Sequence, residues 1–202
     1  LATAAGDFAV TDIPMPAVGP QDVRIKIHQS GVCGTDVHLH HGTFIGVYPL
    51  TPGHETIGEI DDVGADVTRF RHGEMVTVNP NIYCGHCAYC LAGQLGRCPN
   101  MEGMGVHRPG FFAEYASARA DHLVSKPTNL TLAQAAVLPT SGCTALQGLR
   151  DVGRIQAGQS VLIIGASGGV GTFAVQLAKA FGTEVTGVCR TDGCEFDFQR
   201  FF

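Results

Sequence analysis

The chain has 202 residues, 45% hydrophobic and 15% charged, with 27 Gly, 10 Pro and no Trp. That composition can bury a core, which excludes wholesale disorder, and at about 100–200 residues per domain it allows one large domain or two modest ones. A net charge of −5 without any Lys/Arg run argues against nucleic-acid binding, and apolar runs such as 161–164 fall far short of a membrane span. Residues 1–6 carry neither the basic nor the apolar region of a signal peptide.

From 10 to about 124 the pattern is strand-like and punctuated by Gly and Pro. Residues 23–28 alternate apolar and polar, as a half-buried strand does, and 56–60 and 74–78 read as further strands separated by turns at Pro52-Gly53 and His72-Gly73. This half is expected to form a compact β-barrel with long functional loops.

The character changes at Pro127. Thr131 is placed to cap a helix over 132–138, Pro139 interrupts it, and 141–150 can continue helically. Residues 160–164 form a short continuous apolar run typical of a buried parallel strand. Gly165-Ala166-Ser167-Gly168-Gly169-Val170-Gly171 follows directly. Val170, Phe173, Ala174, Leu177, Ala178 and Phe181 then mark one helix face, Gly182 ends that helix, and 185–189 is the next strand. The pattern is a βαβ unit with a glycine turn at its helix N-terminus.

Eight cysteines stand at 33, 84, 87, 90, 98, 143, 189 and 194. Cys84, Cys87, Cys90 and Cys98 form C-x2-C-x2-C-x7-C, a spacing that lets four thiolates converge on one tetrahedral zinc with no open position, hence a structural site. Gly85 and Gly93 supply the backbone freedom of such a knot.

The glycine turn offers unpaired helix amides and close backbone approach to a pyrophosphate. NAD-binding units place an acidic residue about twenty positions on. Here Arg190 follows Gly171 by nineteen, which favours the 2′-phosphate of NADP, with Asp192 two residues later acting against it. Two further segments hold potential metal ligands: 31–38, with Cys33, and 52–55, with His54 and Glu55. Cys33 and His54 suit zinc, with Glu55 or water as additional ligands. Each also has an ordinary reading, Cys33 as a small buried hydrophobe and His54 as a satisfied loop histidine.

Gly-x-Cys-Gly-Thr-Asp-x-His, Gly-His-Glu, the four-cysteine knot and the dinucleotide turn occur in that order, and together they resemble the zinc-containing medium-chain dehydrogenase/reductase family. The resemblance implies an α/β fold: a GroES-like β-barrel catalytic domain over 1–126, followed by an incomplete Rossmann domain, a doubly wound parallel sheet, over 127–202. It implies that Cys33 and His54 bind a catalytic zinc and that Glu55 sits beside it. By the same resemblance Asp36 orients the zinc-bound histidine, Thr35 takes the substrate proton, His38 passes it towards solvent, and Thr144 lies against the nicotinamide. Gly165, Ala166, Ser167, Gly168, Gly169, Val170, Gly171 and Arg190 would bind the dinucleotide. The implied activity is hydride transfer between NAD(P), NADP preferred, and a small alcohol or carbonyl substrate. Zinc would be held at one structural and one catalytic site. A cytoplasmic location and homo-oligomeric full-length relatives are expected, with no nucleic-acid or membrane partner.

Three departures qualify the resemblance. Zinc-dependent members usually carry a third ligand, often Cys, before the Rossmann strand; alignment puts Thr140 there, with Cys143 three residues later. The wording 139–142 and the turn 165–169 look more like the zinc-free quinone and enoyl reductase branch, which lacks the Cys33/His54 pair and the cysteine knot. Finally, only the first βαβ of a Rossmann sheet is present, and the tail from 191, with four Phe in its last seven residues, reads as the aberrant end of a truncated chain. The alternatives are therefore a zinc-independent NADPH reductase and a catalytically inactive zinc-binding fragment.

Overall fold

Two short strands, β1 (Ala2–Ala4) and β2 (Asp7–Phe8), pair antiparallel ahead of the main sheet. The nine-residue β3 (Asp22–Ser30) carries the predicted alternation, with Val23 and Ile25 fully buried and Lys26 exposed. Each such apolar side chain, removed from water, contributes about 1.5–3 kcal/mol. The short helix α1 (Gly34–His40) follows, capped at Cys33. β4 (Thr56–Val63) and β5 (Met75–Val78) realise the other two expected strands. The computed structural model describes residues 1–190 in all, so the tail from 191, with Asp192 and Cys194, lies outside the described residues.

β6 (Asn81–Ile82) pairs antiparallel with β7 (Glu102–Gly103), closing the neck of a lobe that contains α2 (Ala88–Leu91) and the four clustered cysteines. β8 (Tyr115–Arg119) and β9 (Leu123–Ser125) complete an antiparallel sheet in the order β8-β3-β4-β5-β9. Its core joins Val23, Ile25, Ile60, Val76, Val78 and Phe111. α3 (Leu132–Val137) is capped by Thr131, whose Oγ1 accepts from the Gln134 amide at 3.3 Å, and packs Ala135 and Ala136 onto Ile57.

The expected β-barrel is not formed. Closure requires the two edge strands to hydrogen-bond to each other, and β8 pairs only with β3 and β9 only with β5 among the described residues. Register shifts between Arg24 and Ile25 and between Ile27 and Gln29 disrupt the β3–β4 ladder locally, and β9 is three residues long, yet the sheet stays open. Alternation along single strands reports which face is buried; it carries no information about whether the edges meet. The fold is α/β with GroES-like and Rossmann-like sheet elements.

The chain divides into two units, Leu1–Pro139 and a second beginning at Thr140. Helical backbone runs through wide-turn segments at Leu138–Gly142 and Gln147–Val152, with α4 (Cys143–Leu146) between them. A wide turn is one way to carry Pro139, which has no amide to donate, without ending the helix where the sequence predicts a break. In the second unit β10 (Ser160–Ile164), α5 (Gly169–Ala180) and β11 (Glu184–Val188) form the expected βαβ, with the strands in parallel register. Ala174, Val175 and Ala178 of α5 pack on Ile163. The strand expected to be buried is buried only at Ile163, because alternate residues point the other way: Leu162 is 61% exposed and Ile164 79%. No helix among the described residues is long and apolar enough to cross a membrane.

Candidate functional site

The four-cysteine lobe is the one group among the described residues that gathers three or more His, Cys, Asp or Glu ligand atoms; its sulfurs all lie within 4.8 Å of one another. Cys84 Sγ is 3.6 Å from Cys98 Sγ and 3.9 Å from Cys90 Sγ. Tetrahedral zinc with bonds of about 2.3 Å spaces its sulfurs about 3.8 Å apart, so the cluster fits one such ion. Cys87 caps α2, and its sulfur accepts from the Cys90 amide at 3.4 Å. Without metal, backbone amides of His86 and Cys87 hold the Cys84 thiol down to about 6, whereas desolvation and the neighbouring sulfurs push Cys90 up to about 12. Gly85 and Gly93 take positive φ of 76° and 73°, which a side chain would oppose.

A second constellation is built where the end of β3 passes the segment leading into β4. The Gly31 amide donates to the Glu55 carbonyl at 2.8 Å and the Ser30 hydroxyl to the same oxygen at 2.9 Å, which registers Cys33 against His54. Asp36 lies in the first turn of α1, where one carboxylate oxygen accepts from the Cys33 amide at 2.9 Å. Its other oxygen is 3.3 Å from His54 Nδ1, and both side chains are buried. His54 also faces Cys33: its hydrogen bond, with help from the Thr35 amide and hydroxyl, holds the Cys33 thiol below its usual range. Burial opposes a charge on His54, but hydrogen bonds to Asp36 and Cys33 outweigh it and raise the imidazole to about 10. Part-buried Cys33 and buried His54 and Asp36 thus stand in one row of donors beside one another.

The remaining expected residues fall as follows. Thr35 Oγ1 is 3.8 Å from Cys33 Sγ, and exposed His38 meets Thr43 Oγ1 through Nδ1 at 3.1 Å. Glu55 is buried, with its carboxylate against Gly31, where an added Cβ would stand 2.7 Å from Oε2. Thr140 lies in the first wide turn, Cys143 opens α4 exposed, and Thr144 follows it, all in the second unit. Sequence reasoning passed over Ser30, and quoted Gly31 as the start of the Cys33 motif without a role; the signal available was a small residue immediately before that motif. A cavity of about 630 Å³ lies elsewhere in the first unit, beside β8, and is lined by residues such as Ile13, Met104 and Tyr115 rather than by the expected site.

In the second unit the glycine turn has the geometry its sequence implies. Gly165 takes φ +79°, and the amides of Gly165 and Ala166 both donate to the Val188 carbonyl, at 2.8 and 3.0 Å. Gly168 caps α5 without a side chain, so no side-chain cap meets the first-turn amides of Gly169, Val170 and Gly171 as a twelve-residue helix begins. A Cβ on Gly171 would stand 2.1 Å from the Gly165 carbonyl oxygen, so only glycine permits this approach. Ser167 lies within the turn, and Arg190 follows the end of β11.

Residues 19–128 match the family model of the alcohol dehydrogenase GroES-like domain. The chain is 39% identical over 183 residues to an alcohol dehydrogenase of Geobacillus stearothermophilus, covering 89% of this chain and 53% of that one. It is 38% identical to an L-threonine 3-dehydrogenase of Chelativorans sp., covering 84% of this chain and 49% of that one. A structure from Sinorhizobium meliloti, assigned to zinc-binding dehydrogenases and bound to NADP, superposes with a TM-score of 0.86 at 34% identity over 94% of this chain and 55% of its own. The chain belongs to the zinc-containing, alcohol dehydrogenase-like medium-chain dehydrogenase/reductase family. It spans about half the length of the relatives it matches.

Proposed function

We propose that the protein acts as a zinc-dependent, NAD(P)-linked oxidoreductase that moves hydride between a nicotinamide cofactor and an alcohol or carbonyl substrate. The observation that carries this reading is the row of part-buried Cys33 with buried His54 and Asp36, whose donor chemistry suits a borderline cation and whose second-sphere carboxylate stands 3.3 Å from the imidazole. Residues 1–126 would form the catalytic domain and 127–202 the start of the dinucleotide-binding domain. NADP is the preferred cofactor on the strength of Arg190, and a reducing, cytoplasmic setting suits the free cysteines of the lobe and Cys33.

Cys33 and His54, with Glu55 beside them, would hold the catalytic zinc, and the four-cysteine lobe a structural one. When bound, the catalytic ion supplies Lewis acidity at a substrate oxygen. Asp36 keeps the His54 ring oriented through Nδ1. Thr35 would take a proton from substrate, and His38, exposed in the last turn of α1 and joined to Thr43, would pass it towards solvent. The glycine turn and the first-turn amides of α5 would bind the pyrophosphate, with Thr144 against the nicotinamide.

A second reading, a zinc-independent NADPH reductase or an inactive zinc-binding fragment, is favoured by one observation: only the four cysteines gather three or more ligand atoms among the described residues. Zinc per chain after gentle desalting in zinc-free buffer separates the two. Near two ions is the expected result, and near one overturns the zinc-dependent reading.

A further inference from the structure

The segment carrying His54 is buried without regular secondary structure: residues 51–56 are all buried, and only at Thr56 does β4 begin. A buried irregular segment has to find partners for its own carbonyls. Here three consecutive ones are taken by three consecutive amides of one other loop. Gly110 N donates to Thr51 O at 2.7 Å, Phe112 N to Pro52 O at 2.8 Å and Phe111 N to Gly53 O at 3.0 Å.

The contact is closer than side chains permit. A Cβ on Gly110 would stand 2.1 Å from the Gly53 oxygen, and one on Gly105 2.3 Å from it. Gly53 and Gly105 also take positive φ, 92° and 78°. The Gly105 amide donates to the Arg108 carbonyl at 2.7 Å, which folds the loop back so that Gly105 and Gly110 meet Gly53 together. This loop leaves the neck of the four-cysteine lobe directly at β7, within a few residues of Cys98.

We propose that Gly105 and Gly110 are positioning residues for His54: their glycine-only contact with the Gly53 carbonyl sets where His54 stands against Cys33 and Asp36. They touch none of the reacting groups; they act through the backbone one residue before the histidine. The loop ties that setting to the four-cysteine lobe. Its catalytic meaning rests on the reading of His54 as a zinc ligand.

The test compares Gly105→Ala and Gly110→Ala with Gly148→Ala, a glycine with open space around it. Two readouts are taken: NMR contacts of the His54 ring with Cys33 and Asp36 in the metal-free chain, and cobalt(II) titration. The proposal expects both junction variants to keep the core methyl pattern and the first cobalt equivalent in the cysteine lobe. They should lose the His54 ring contacts and weaken the second equivalent roughly ten- to a hundredfold, while Gly148→Ala matches the parent chain. Unchanged ring contacts in Gly110→Ala overturn the positioning role. If the parent chain takes no second equivalent, the zinc reading falls, and the ring contacts alone decide the positioning role. Should both junction variants fail to fold, hydrogen exchange of the parent chain decides. Amides 110–112 should be protected like those of Ile60 and Val76, and exchange at the rate of an open loop overturns the proposal.

Discussion

Asp36 stands 3.3 Å from His54, Oδ1 to Nδ1, while its second oxygen accepts from the Cys33 amide at 2.9 Å, so one carboxylate fixes the ring and the start of the helix beside it. Asp36→Asn keeps the shape and removes the charge. In the metal-free chain His54 should then titrate well below about 10, towards its ordinary 6.5, with a stability loss of roughly 1.5–3 kcal/mol near neutral pH. Histidine-resolved NMR titration and urea unfolding check both; an unmoved His54 would show that Asp36 does not hold its proton.

The same row sets a pH dependence. His54, raised above its unfolded 6.5, contributes stability that is complete below 6.5 and lost as pH rises through about 10. Cys33, lowered from 9.0, contributes in the opposite sense: its stability is complete above 9.0 and lost as pH falls through its folded value. Between the folded value of Cys33 and 9.0 the two oppose each other, and above 9.0 only the His54 loss remains. The urea midpoint of the metal-free chain should therefore fall more steeply above pH 9 than below it, and Asp36→Asn should flatten that fall. An equal fall in both proteins would place its origin elsewhere.

Removing one sulfur from the lobe should disable it. Cys98 is the buried member of the cluster, and Cys98→Ser is expected to weaken zinc there roughly a hundredfold or more in competition with a chelator. Zinc binding at pH 7 should also release protons, since Cys90 is held near 12 until metal displaces its proton. An indicator dye in weak buffer reads the release, and binding without it would contradict the metal-free protonation described above.

Gly171→Ala places a methyl 2.1 Å from the Gly165 oxygen on helical backbone, whereas Gly158, at φ +83°, has nothing within 4 Å. Alanine at Gly158 should cost about 1–2 kcal/mol, the left-handed backbone term alone. Alanine at Gly171 should cost more and abolish binding of an adenine dinucleotide. Thermal unfolding and equilibrium dialysis read both, and an alanine at Gly171 that costs nothing or stabilises would show that the turn opens without penalty.

Cofactor preference is tested at Arg190. Its replacement by Ala is expected to weaken adenosine 2′,5′-bisphosphate roughly tenfold while leaving 5′-AMP unchanged, because only the former carries the charge that a guanidinium would meet. Equal loss of both ligands would make Arg190 a structural residue.

Much of the fold was legible because its signals are local. Alternation at 23–28 gave β3, and the apolar run, glycine turn and periodic helix gave the βαβ of the second unit almost residue for residue. β8 escaped notice because Tyr115-Ala116-Ser117-Ala118-Arg119 alternates between small residues with little hydropathy contrast. α1 did too, being seven residues long and rich in His. The barrel expectation failed for a different reason: edge pairing is a relation between strands distant in sequence. The candidate ligands were visible as spaced Cys and His, but the junction of Gly53, Gly105 and Gly110 was not, since glycines fifty residues apart announce no contact.

The open sheet has a colloidal consequence. β8 offers one side of its backbone to no strand among the described residues, and a row of unpaired amides and carbonyls is a template onto which another extended chain can crystallise. Arg119 at its far end, ion-paired with Asp121, and the three-residue length of β9 are brakes on such growth. Turbidity should accordingly climb with protein concentration and with salt that screens Arg119, making dilute, low-salt handling the condition under which this chain keeps to itself.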